Sequence, residues 1–142
     1  MSAGVGIERV ATLDPAMLAH CDFSFDPQRS VYPFDSAFAV PRSGRMIAVA
    51  RIGGRVSGYI ACLADGESAD VRRVEIDRPH RDQGLGRRLL DEARDWAYSV
   101  GLQALRLETL ADNPAAGRFF ERYGFTPIGQ GDVLHWRMPL PV

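Results

Sequence analysis

The stretch from Val71 to Ala97 constrains the fold more than any other part of the chain. It begins with a short apolar run, passes a proline, and reaches a turn that contains Gly84 and Gly86. After the turn, apolar residues recur at the three- and four-residue spacing of one buried helical face. This predicted face consists of Leu85, Leu89, Leu90, Ala93, Trp96, Ala97 and Val100. The stretch is therefore predicted to form a strand, a glycine-rich loop and an amphipathic helix.

The predicted helix begins without a side chain that could cap it. The residue immediately before Leu85 is Gly84, so the free N–H groups of the first turn need another acceptor. Glycine lets a ligand approach the backbone closely, and arginines flank the loop at positions 81, 87 and 88. A phosphate group could therefore supply the missing cap. A glycine turn capped by water is the alternative, and the local sequence leaves both open.

Three kinds of phosphate-binding loop share this chemistry, and their spacing separates them. A P-loop ends in Gly-Lys-Ser/Thr, and the chain contains no lysine. A dinucleotide-binding loop would have a third glycine where Leu89 stands, although Glu108 lies near the distance expected for its ribose-binding acid. That loop stays open as an alternative. The third kind, the acyl-coenzyme A loop with the pattern Gln/Arg-x-x-Gly-x-Gly/Ala, is matched in full by Arg81, Gly84 and Gly86.

A second motif extends the likeness beyond the loop. Residues 105–125 contain a strand-like run, Asn113, an alanine three residues later, an aromatic pair and a closing Gly-Phe. With both motifs at this spacing, the chain resembles the GNAT acetyltransferase superfamily from about Ala48 to Phe125. The resemblance implies an α/β fold with a central mixed, mostly antiparallel, twisted sheet of six to seven strands flanked by helices. Because 142 residues are the size of one domain, a single N-acetyltransferase domain over residues 1–142 is expected.

The resemblance implies acetyl-coenzyme A as the co-substrate and no metal. In this family the pantetheine arm pairs like an extra strand with the protein, which here corresponds to the backbone of Val74, Glu75 and Ile76. The pyrophosphate corresponds to the N–H groups from Asp82 to Arg87, and Asn113 is expected both to cap a helix and to contact the cofactor. The expected cofactor-binding residues are Val74, Glu75, Ile76, Arg81, Asp82, Gln83, Gly84, Leu85, Gly86, Arg87, Asn113 and Phe120.

The resemblance also indicates which residue removes a proton from the amine. Glu108 stands five residues before Asn113, as the base does in the ribosomal-protein N-terminal acetyltransferase branch of the family. It is expected to act directly or through a water, with partial burial strengthening it as a base. The alternative is an exposed carboxylate at the end of a strand, or an ion pair with Arg106 or Arg118.

Asp70 is the second candidate base. It matches the carboxylate that other branches of the family carry on the strand before the glycine loop. Strand alternation is expected to place it on the same side as Arg72, Val74 and Ile76. Asp70 and Glu108 would then share one cleft.

The general acid is where the chain departs from the family. Many members carry a tyrosine seven residues after the asparagine, near the thioester sulfur, and here that residue is Phe120. Tyr123, one helical turn further on, is the remaining candidate, although its position usually holds an apolar core residue. Water or the amine itself could also protonate the thiolate, because a thiol is already a good leaving group. The missing tyrosine keeps a noncatalytic acyl-coenzyme A-binding module open as an alternative.

Composition argues against several other classes of protein. No apolar run approaches the roughly 18 residues that a membrane span needs. The N-terminus lacks the basic start and long apolar segment of a signal peptide, so a cytoplasmic location is expected. A net charge of -1 argues against a nucleic-acid partner. The scattered histidines and the distant pair Cys21 and Cys62 offer no metal-ligand spacing, and both cysteines are expected to be reduced thiols.

Turn and alternation signals outline the remaining elements. Gly53-Gly54 is a strong signal for a hairpin turn, and Asp14-Pro15 and Asn113-Pro114 each pair a helix cap with a proline at the first helical position. Gly124 is expected to end the second of these helices. The predicted strands are 7–11, 46–52, 56–63, 69–77, 105–109, 125–128 and 133–138, with a polar loop at 64–68.

The segment from Asp22 to Ser43 has no clear periodicity. Its aromatic residues, which include Phe23 and Phe25, are interleaved with acidic residues and prolines. In GNAT enzymes the corresponding region covers the acceptor site, so one interpretation is an aromatic, acidic pocket for a cationic amine. The other interpretation is that the rings close the core.

Together these features predict that the chain transfers an acetyl group from acetyl-coenzyme A to a primary amine by direct attack with a general base. The acceptor is expected to be a small molecule or the N-terminus of a protein or peptide. The resemblance leaves open whether the protein forms a homodimer through its last strands. The competing hypotheses are the noncatalytic acyl-coenzyme A-binding module and a nucleotide-binding domain that uses the glycine loop.

Overall fold

The computed structural model describes residues 4–23, 44–111, 113–129 and 131–141. Its strands are β1 (Val5–Val10), β2 (Arg45–Ile52), β3 (Arg55–Asp65), β4 (Ser68–Ile76), β5 (Ala104–Leu110), β6 (Thr126–Ile128) and β7 (Val133–Pro139), and its α-helices are α1 (Leu85–Ser99) and α2 (Pro114–Tyr123). The strands form a 7-stranded sheet in the order β1-β2-β3-β4-β5-β7-β6. Among the described strands, only β4 and β5 are parallel neighbours, and the other pairs are antiparallel. The predicted mixed, mostly antiparallel α/β fold is confirmed.

A two-residue turn joins β2 to β3. Gly53 and Gly54 have φ values of +60° and +84°. A tight hairpin turn between right-twisted strands needs positive φ values at both of its central residues. Glycine adopts positive φ with little steric strain. The predicted hairpin is confirmed.

The turn between β3 and β4 is shorter than the sequence suggested. Residues 64 and 65 pair with residues 69 and 68, so the antiparallel ladder continues almost to the end of the hairpin. Gly66, with a φ of +61°, makes the reversal in two residues. The predicted polar loop over 64–68 is therefore wrong, because polar residues at an exposed hairpin end still form ladder hydrogen bonds.

The apolar face of α1 packs against one side of the sheet. The predicted positions from Leu85 to Ala97 are all buried, and they join strand residues such as Leu105 in the larger core. Val100 is the exception, with 55% of its surface exposed. The helix ends at Ser99 and Gly101 follows with a φ of +83°, so Val100 leaves the helical phase. The prediction that Val100 belongs to the buried face is wrong.

A smaller core covers the other side of β2 and β3. Asp14 caps a 3₁₀ helix, Pro15–Leu18, with its Oδ1 accepting a hydrogen bond from the N–H of Ala16 at 2.9 Å. This confirms the short helix predicted after Asp14. The Phe23 ring then packs edge-on against Tyr59, with 5.5 Å between the ring centroids.

The aromatic and acidic segment is described only at its start. Phe23 is buried in the smaller core, which agrees with the core-closing interpretation for that ring. Residues 24–43 lie outside the described residues. The acceptor pocket therefore stays a prediction.

β4 contains one extra residue relative to β3. Cys62 lies opposite Val71, and Ala61 lies opposite Arg73. Arg72 is left between them as a β-bulge, which interrupts the regular alternation of side chains along the strand.

The bulge changes which side chains of β4 share a face. Asp70 lies opposite Leu63, a residue that packs against the smaller core. Val74 and Ile76 pack against the larger core with α1. The expectation that Asp70 lies on their side is therefore wrong, because simple alternation holds only in a ladder without an extra residue.

α2 is bounded by the two residues that the sequence indicated. The Oδ1 of Asn113 accepts a hydrogen bond from the N–H of Ala116 at 3.3 Å, and Gly124 follows the helix with a φ of +132°. Gly117 lets the helix approach the sheet, since a Cβ there would lie 3.2 Å from the ring of Trp136.

One side of β5, β7 and β6 carries exposed side chains. Arg106, Glu108 and Leu110 point to this side from β5, and Val133 and Ile128 are exposed on the neighbouring strands. We call this surface the open face of the sheet.

Neither described helix is long and apolar enough to cross a lipid bilayer. Cys21 and Cys62 are free thiols. Within the described ranges, no three or more metal-ligating side chains cluster together.

Candidate active site

The candidate site opens where β4 and β5 separate. The two strands pair only between Ser68–Asp70 and Ala104–Arg106. A cleft of about 1040 Å³ lies in the gap, bordered by both strands, the glycine loop and α2. The predicted site residues that line it are Val74, Glu75, Ile76, Arg81, Asp82, Gly84, Leu85, Gly86, Arg87, Glu108, Asn113, Phe120 and Tyr123.

Two predicted site residues do not line this cleft. Gln83 is exposed and is not among the residues that line the cleft. Asp70 lines a separate cavity of about 330 Å³, which it shares with Glu108. The bulge at Arg72 accounts for the position of Asp70, because it places that carboxylate on the other face of β4 from Val74.

The glycine loop presents bare backbone to the cleft. Gly84 stands at the N-cap of α1 with a φ of +82°, and no side chain caps the helix. A Cβ added at Gly84 would meet no protein atom within 4 Å. The predicted uncapped helix N-terminus is confirmed, and its free N–H groups and open space suit a phosphate oxygen.

Gly86 is needed for a different reason. A Cβ at this position would lie 3.0 Å from Cζ of Phe119, so the glycine lets α2 pack against the start of α1. Phe119 also lines the cleft. Sequence reasoning missed it, although the aromatic pair that it forms with Phe120 was a usable signal.

Arg81 connects the loop to the end of β4. Its Nε donates a hydrogen bond to the carbonyl oxygen of Ile76 at 3.2 Å. The motif match assigned Arg81 to the cofactor, and the structure adds this contact within the protein.

Arginines on two elements line the cleft. Arg87 extends from α1, and Arg118 and Arg122 extend from successive turns of α2. Sequence reasoning did not assign the α2 pair to the cofactor site, but its four-residue spacing was a signal that both lie on one helical face. Guanidinium groups bind phosphate strongly, so this border of the cleft suits an anionic ligand.

Glu108 lies on β5, where it lines the main cleft and the open face. Its side chain is 63% exposed, so the expected partial burial is wrong. Alternation along β5 turns residue 108 outward, away from the core. Its ion-pair partner is His135, with Nδ1 3.5 Å from the Glu108 Oε1. The pairing is therefore neither with Arg118 nor with Arg106, which reaches Asp65 at 3.9 Å.

Asp70 is the more enclosed of the two carboxylates. Its side chain is 16% exposed, and its Oδ2 lies 3.0 Å from Nε of Arg72. Burial raises the pKa of Asp70, while the charges of Arg72 and Arg106 act in the opposite direction. Glu108 adds to the upward shift, which places the two acids within electrostatic reach of each other.

Tyr123 lines the cleft, but its hydroxyl group is engaged. The hydroxyl donates a hydrogen bond to Oδ1 of Asp91 on α1 at 2.8 Å. Burial raises the pKa of Tyr123, and the bond to the Asp91 carboxylate raises it further. The side chain links α2 to α1 through this bond.

Phe120 occupies the position where many family members carry a tyrosine. Its ring is buried and packs edge-on against Phe125, with 5.7 Å between the ring centroids. The Phe120 ring lines the cleft but, unlike a tyrosine ring, it carries no polar atom.

Known proteins resemble the chain in sequence. Residues 15–125 match the family described as the acetyltransferase (GNAT) family. A streptothricin acetyltransferase of Escherichia coli is 33% identical over 69 residues, which are 49% of this chain and 39% of that protein. The N-alpha-acetyltransferase RimI of Mycobacterium tuberculosis is 32% identical over 84 residues, which are 56% of this chain and 51% of that protein. The chain thus spans about half or less of the length of these relatives.

Solved structures share the fold. The ribosomal-protein-S18-alanine N-acetyltransferase of Escherichia coli superposes with a TM-score of 0.82 at 22% identity, over 98% of this chain and 96% of that one. The PaiA N-acetyltransferase of Thermoplasma acidophilum, solved in complex with coenzyme A, gives a TM-score of 0.72 at 14% identity, over 94% and 99%. The family model matches most of the length of the chain, and the fold agrees with those of the solved acetyltransferases. The chain therefore belongs to the GNAT acetyltransferase family.

Proposed function

We propose that the protein transfers an acetyl group from acetyl-coenzyme A to a primary amine. The observation that carries the proposal is a single cleft that contains both an uncapped helix N-terminus at Gly84 and a carboxylate at Glu108. The free N–H groups at the helix N-terminus can bind a diphosphate, and the carboxylate can accept a proton from an ammonium group. Membership of the GNAT family supports the same reaction.

The glycine loop would hold the pyrophosphate. Asp82 and Gly84 have φ values of +63° and +82°, which turn the backbone so that its N–H groups can converge on an anion. Arg81 and Arg87 border the same space and add positive charge.

The cleft-side edge of β4 would hold the pantetheine arm. No described strand lies beside the 74–76 stretch on this side, because β5 pairs with β4 only as far as Asp70. Backbone groups along an edge can bond to an extended ligand as they would to another strand. Asn113 and Phe120 border the far side of the same space.

Glu108 is the proposed general base. Bound acetyl-coenzyme A supplies the acyl group as a thioester. An acceptor ammonium would lose a proton to Glu108, directly or through a water, and its nitrogen would then form the amide bond as the carbon–sulfur bond breaks. In total, ammonium and thioester give amide, thiol and one proton. Asp70 is the alternative base, at the smaller cavity.

The proton for the leaving thiolate has two proposed sources. Tyr123 is the candidate acid in the cleft, although its hydroxyl proton is directed to Asp91. Water or the acceptor amine is the other source, because a thiolate leaves readily without a dedicated acid.

The acceptor is proposed to be a small-molecule amine or the N-terminus of a protein or peptide. The two relatives compared above carry names that correspond to these two classes of acceptor. The streptothricin acetyltransferase is named for a small molecule, and the N-alpha-acetyltransferase is named for an N-terminus. A noncatalytic acyl-coenzyme A-binding module is the second candidate function, favoured by the phenyl ring of Phe120 where the usual acid would stand.

The test is release of free thiol from acetyl-coenzyme A with a panel of small primary amines and short peptides. We expect thiol release that depends on the amine and on its concentration. Binding of coenzyme A without release by any amine would favour the noncatalytic module. Binding of NAD in place of coenzyme A would favour the nucleotide-binding alternative.

A further inference from the structure

We propose that His135 is a positioning residue for Glu108, and that the side chain at this position controls how available the Glu108 carboxylate is to a cationic acceptor. The inference rests on the proposed function, because it gives His135 a role in that reaction. Sequence reasoning treated His135 only as one of three scattered histidines.

The register of the sheet sets the two side chains side by side. Glu108 on β5 lies directly opposite His135 on β7, and His135 lies directly opposite Ile128 on β6. Directly paired residues of antiparallel strands point to the same face. The 3.5 Å between the His135 Nδ1 and the Glu108 Oε1 follows from this register.

Glu108 stands between two spaces. It lines the main cleft, and it also lines the 330 Å³ cavity of the open face, whereas His135 lines only the smaller cavity. The imidazole therefore contacts the carboxylate from outside the proposed cofactor space. It can change the direction and charge surroundings of Glu108 without touching the glycine loop.

The other charged groups near His135 have partners elsewhere. On β5, Arg106 reaches Asp65 at 3.9 Å. On β4, Asp70 is held by Arg72 at 3.0 Å. In the described part of the chain, the ion-pair partner of Glu108 is thus His135.

The remaining neighbours of His135 do not offer Glu108 another partner. β6 presents the apolar Ile128 opposite His135. Arg137, two residues along β7, lies opposite Arg106 instead of Glu108.

The charge of His135 then determines how available Glu108 is to the acceptor. An imidazolium attracts the Glu108 carboxylate and repels an incoming ammonium group. A neutral imidazole does neither, so the carboxylate is left to the substrate. A positive side chain at position 135 should therefore give a higher acceptor KM than a neutral one.

Two substitutions separate the charge from the shape of His135. His135→Asn keeps an amide nitrogen near the position of Nδ1 but is neutral, and His135→Arg is positive at every pH tested. With one amine at one pH, we expect the acceptor KM of His135→Arg to be about three times that of His135→Asn. Using the same amine and the same pH keeps the charge of the amine constant in the comparison.

The matched control is Arg137→Gln, which removes a charge from the same strand without removing one that titrates. It should leave the acceptor KM close to the wild-type value. In both His135 variants, the KM for acetyl-coenzyme A should stay unchanged, and kcat should change by less than about twofold since Glu108 is retained. An equal acceptor KM in His135→Arg and His135→Asn overturns the inference while leaving the proposed function in place.

A second measurement does not depend on activity. A double-mutant cycle of Glu108→Gln and His135→Asn, followed by thermal unfolding, should show a coupling of about 2 °C in Tm. Absence of coupling overturns the inference, whether or not an acceptor amine has been found. Absence of thiol release with every amine overturns the proposed function, whatever the coupling.

Discussion

Among single residues, Glu108 has the most direct chemical consequence. Glu108→Gln keeps the size of the side chain and removes its ability to accept the proton. We expect kcat to fall at least about tenfold, the low end of general-base contributions. Coenzyme A affinity should change little, because the glycine loop is untouched. The measurement is steady-state thiol release together with calorimetric titration of coenzyme A.

The matched control for this substitution is Glu121→Gln, since Glu121 is an exposed glutamate of α2 outside the cleft. It should leave both quantities unchanged. An unchanged rate in Glu108→Gln would transfer the base role to Asp70 or to water.

Tyr123 is a residue whose structural and catalytic roles can be separated. Tyr123→Phe removes the hydrogen bond to Asp91, so we expect the free energy of unfolding to fall by about 1 kcal/mol. kcat should fall less than about tenfold, because the hydroxyl proton is already directed to Asp91. Denaturant unfolding and thiol release measure the two effects.

Tyr98→Phe provides the comparison, because Tyr98 is 56% exposed on α1 and does not line the cleft. A loss in kcat of about a hundredfold in Tyr123→Phe, without loss of stability, would instead identify Tyr123 as the general acid.

The position of Glu108 could be predicted from sequence, but its surroundings could not. The resemblance to the family motif, in which the base stands five residues before the asparagine, indicated Glu108, and both Glu108 and Asn113 line the cleft. Its exposure depends on which elements cover the open face, and its contact with His135 depends on how β7 aligns with β5. Neither is encoded in the residues adjacent to Glu108.

Among the structural elements, the glycine loop gives the clearest test. Gly84→Val should abolish coenzyme A binding, because the new side chain would enter the space where a phosphate would approach the backbone. The measurement is calorimetric titration with coenzyme A. Gly86→Val is a poorer test, since its side chain would also collide with Phe119.

Gly101→Val controls for backbone strain. Gly101 has a φ of +83°, close to the +82° of Gly84, and open space around its Cβ position, but it lies outside the cleft. It should lose stability to a similar extent and retain coenzyme A affinity. Retained affinity in a folded Gly84→Val variant would contradict the assignment of the loop.

Helical elements were easier to predict than the details of β4. The face of α1 follows from a regular spacing of large apolar residues, so only Val100, beyond its end, was misplaced. The bulge in β4 has no such signal, because Arg72 and Arg73 are adjacent arginines and either could be the extra residue. It becomes visible only when the partner residues on β3 are known.

At the scale of the whole molecule, the sheet consists of two antiparallel blocks. The first contains β1 to β4, the second contains β5, β7 and β6, and a short parallel pairing joins them. A ligand in the cleft would contact both blocks. Coenzyme A at a hundred times its Kd should stabilise the fold by about 2.7 kcal/mol, or roughly 8 °C in Tm. NAD at the same concentration should not, and equal stabilisation by NAD would contradict the cofactor assignment.

The pH dependence of global stability tests the environment of Asp70. The folded state raises the pKa of this carboxyl above its unfolded value, so the native protein binds more protons than the unfolded chain in that window. Stability from this group is therefore present at low pH and lost as the pH rises above about 4. Asp70→Asn removes the loss, so its stability relative to wild type should increase with pH. Denaturant unfolding between about pH 3 and 7 measures the difference, and a decrease would show that the pKa is lowered instead.

The single unmatched residue in β4 has a consequence for redesign of the protein. Deleting Arg72 would restore an uninterrupted ladder and keep the existing pairs, so Val74 and Ile76 would stay in the apolar interior and Glu75 outside it. A slip of one residue that paired Arg72 with Ala61 would instead turn Glu75 into that interior and Val74 and Ile76 out of it. An engineered β4 can therefore lose the extra residue, but it cannot absorb that residue into the ladder without inverting the groove wall proposed to hold the acyl donor.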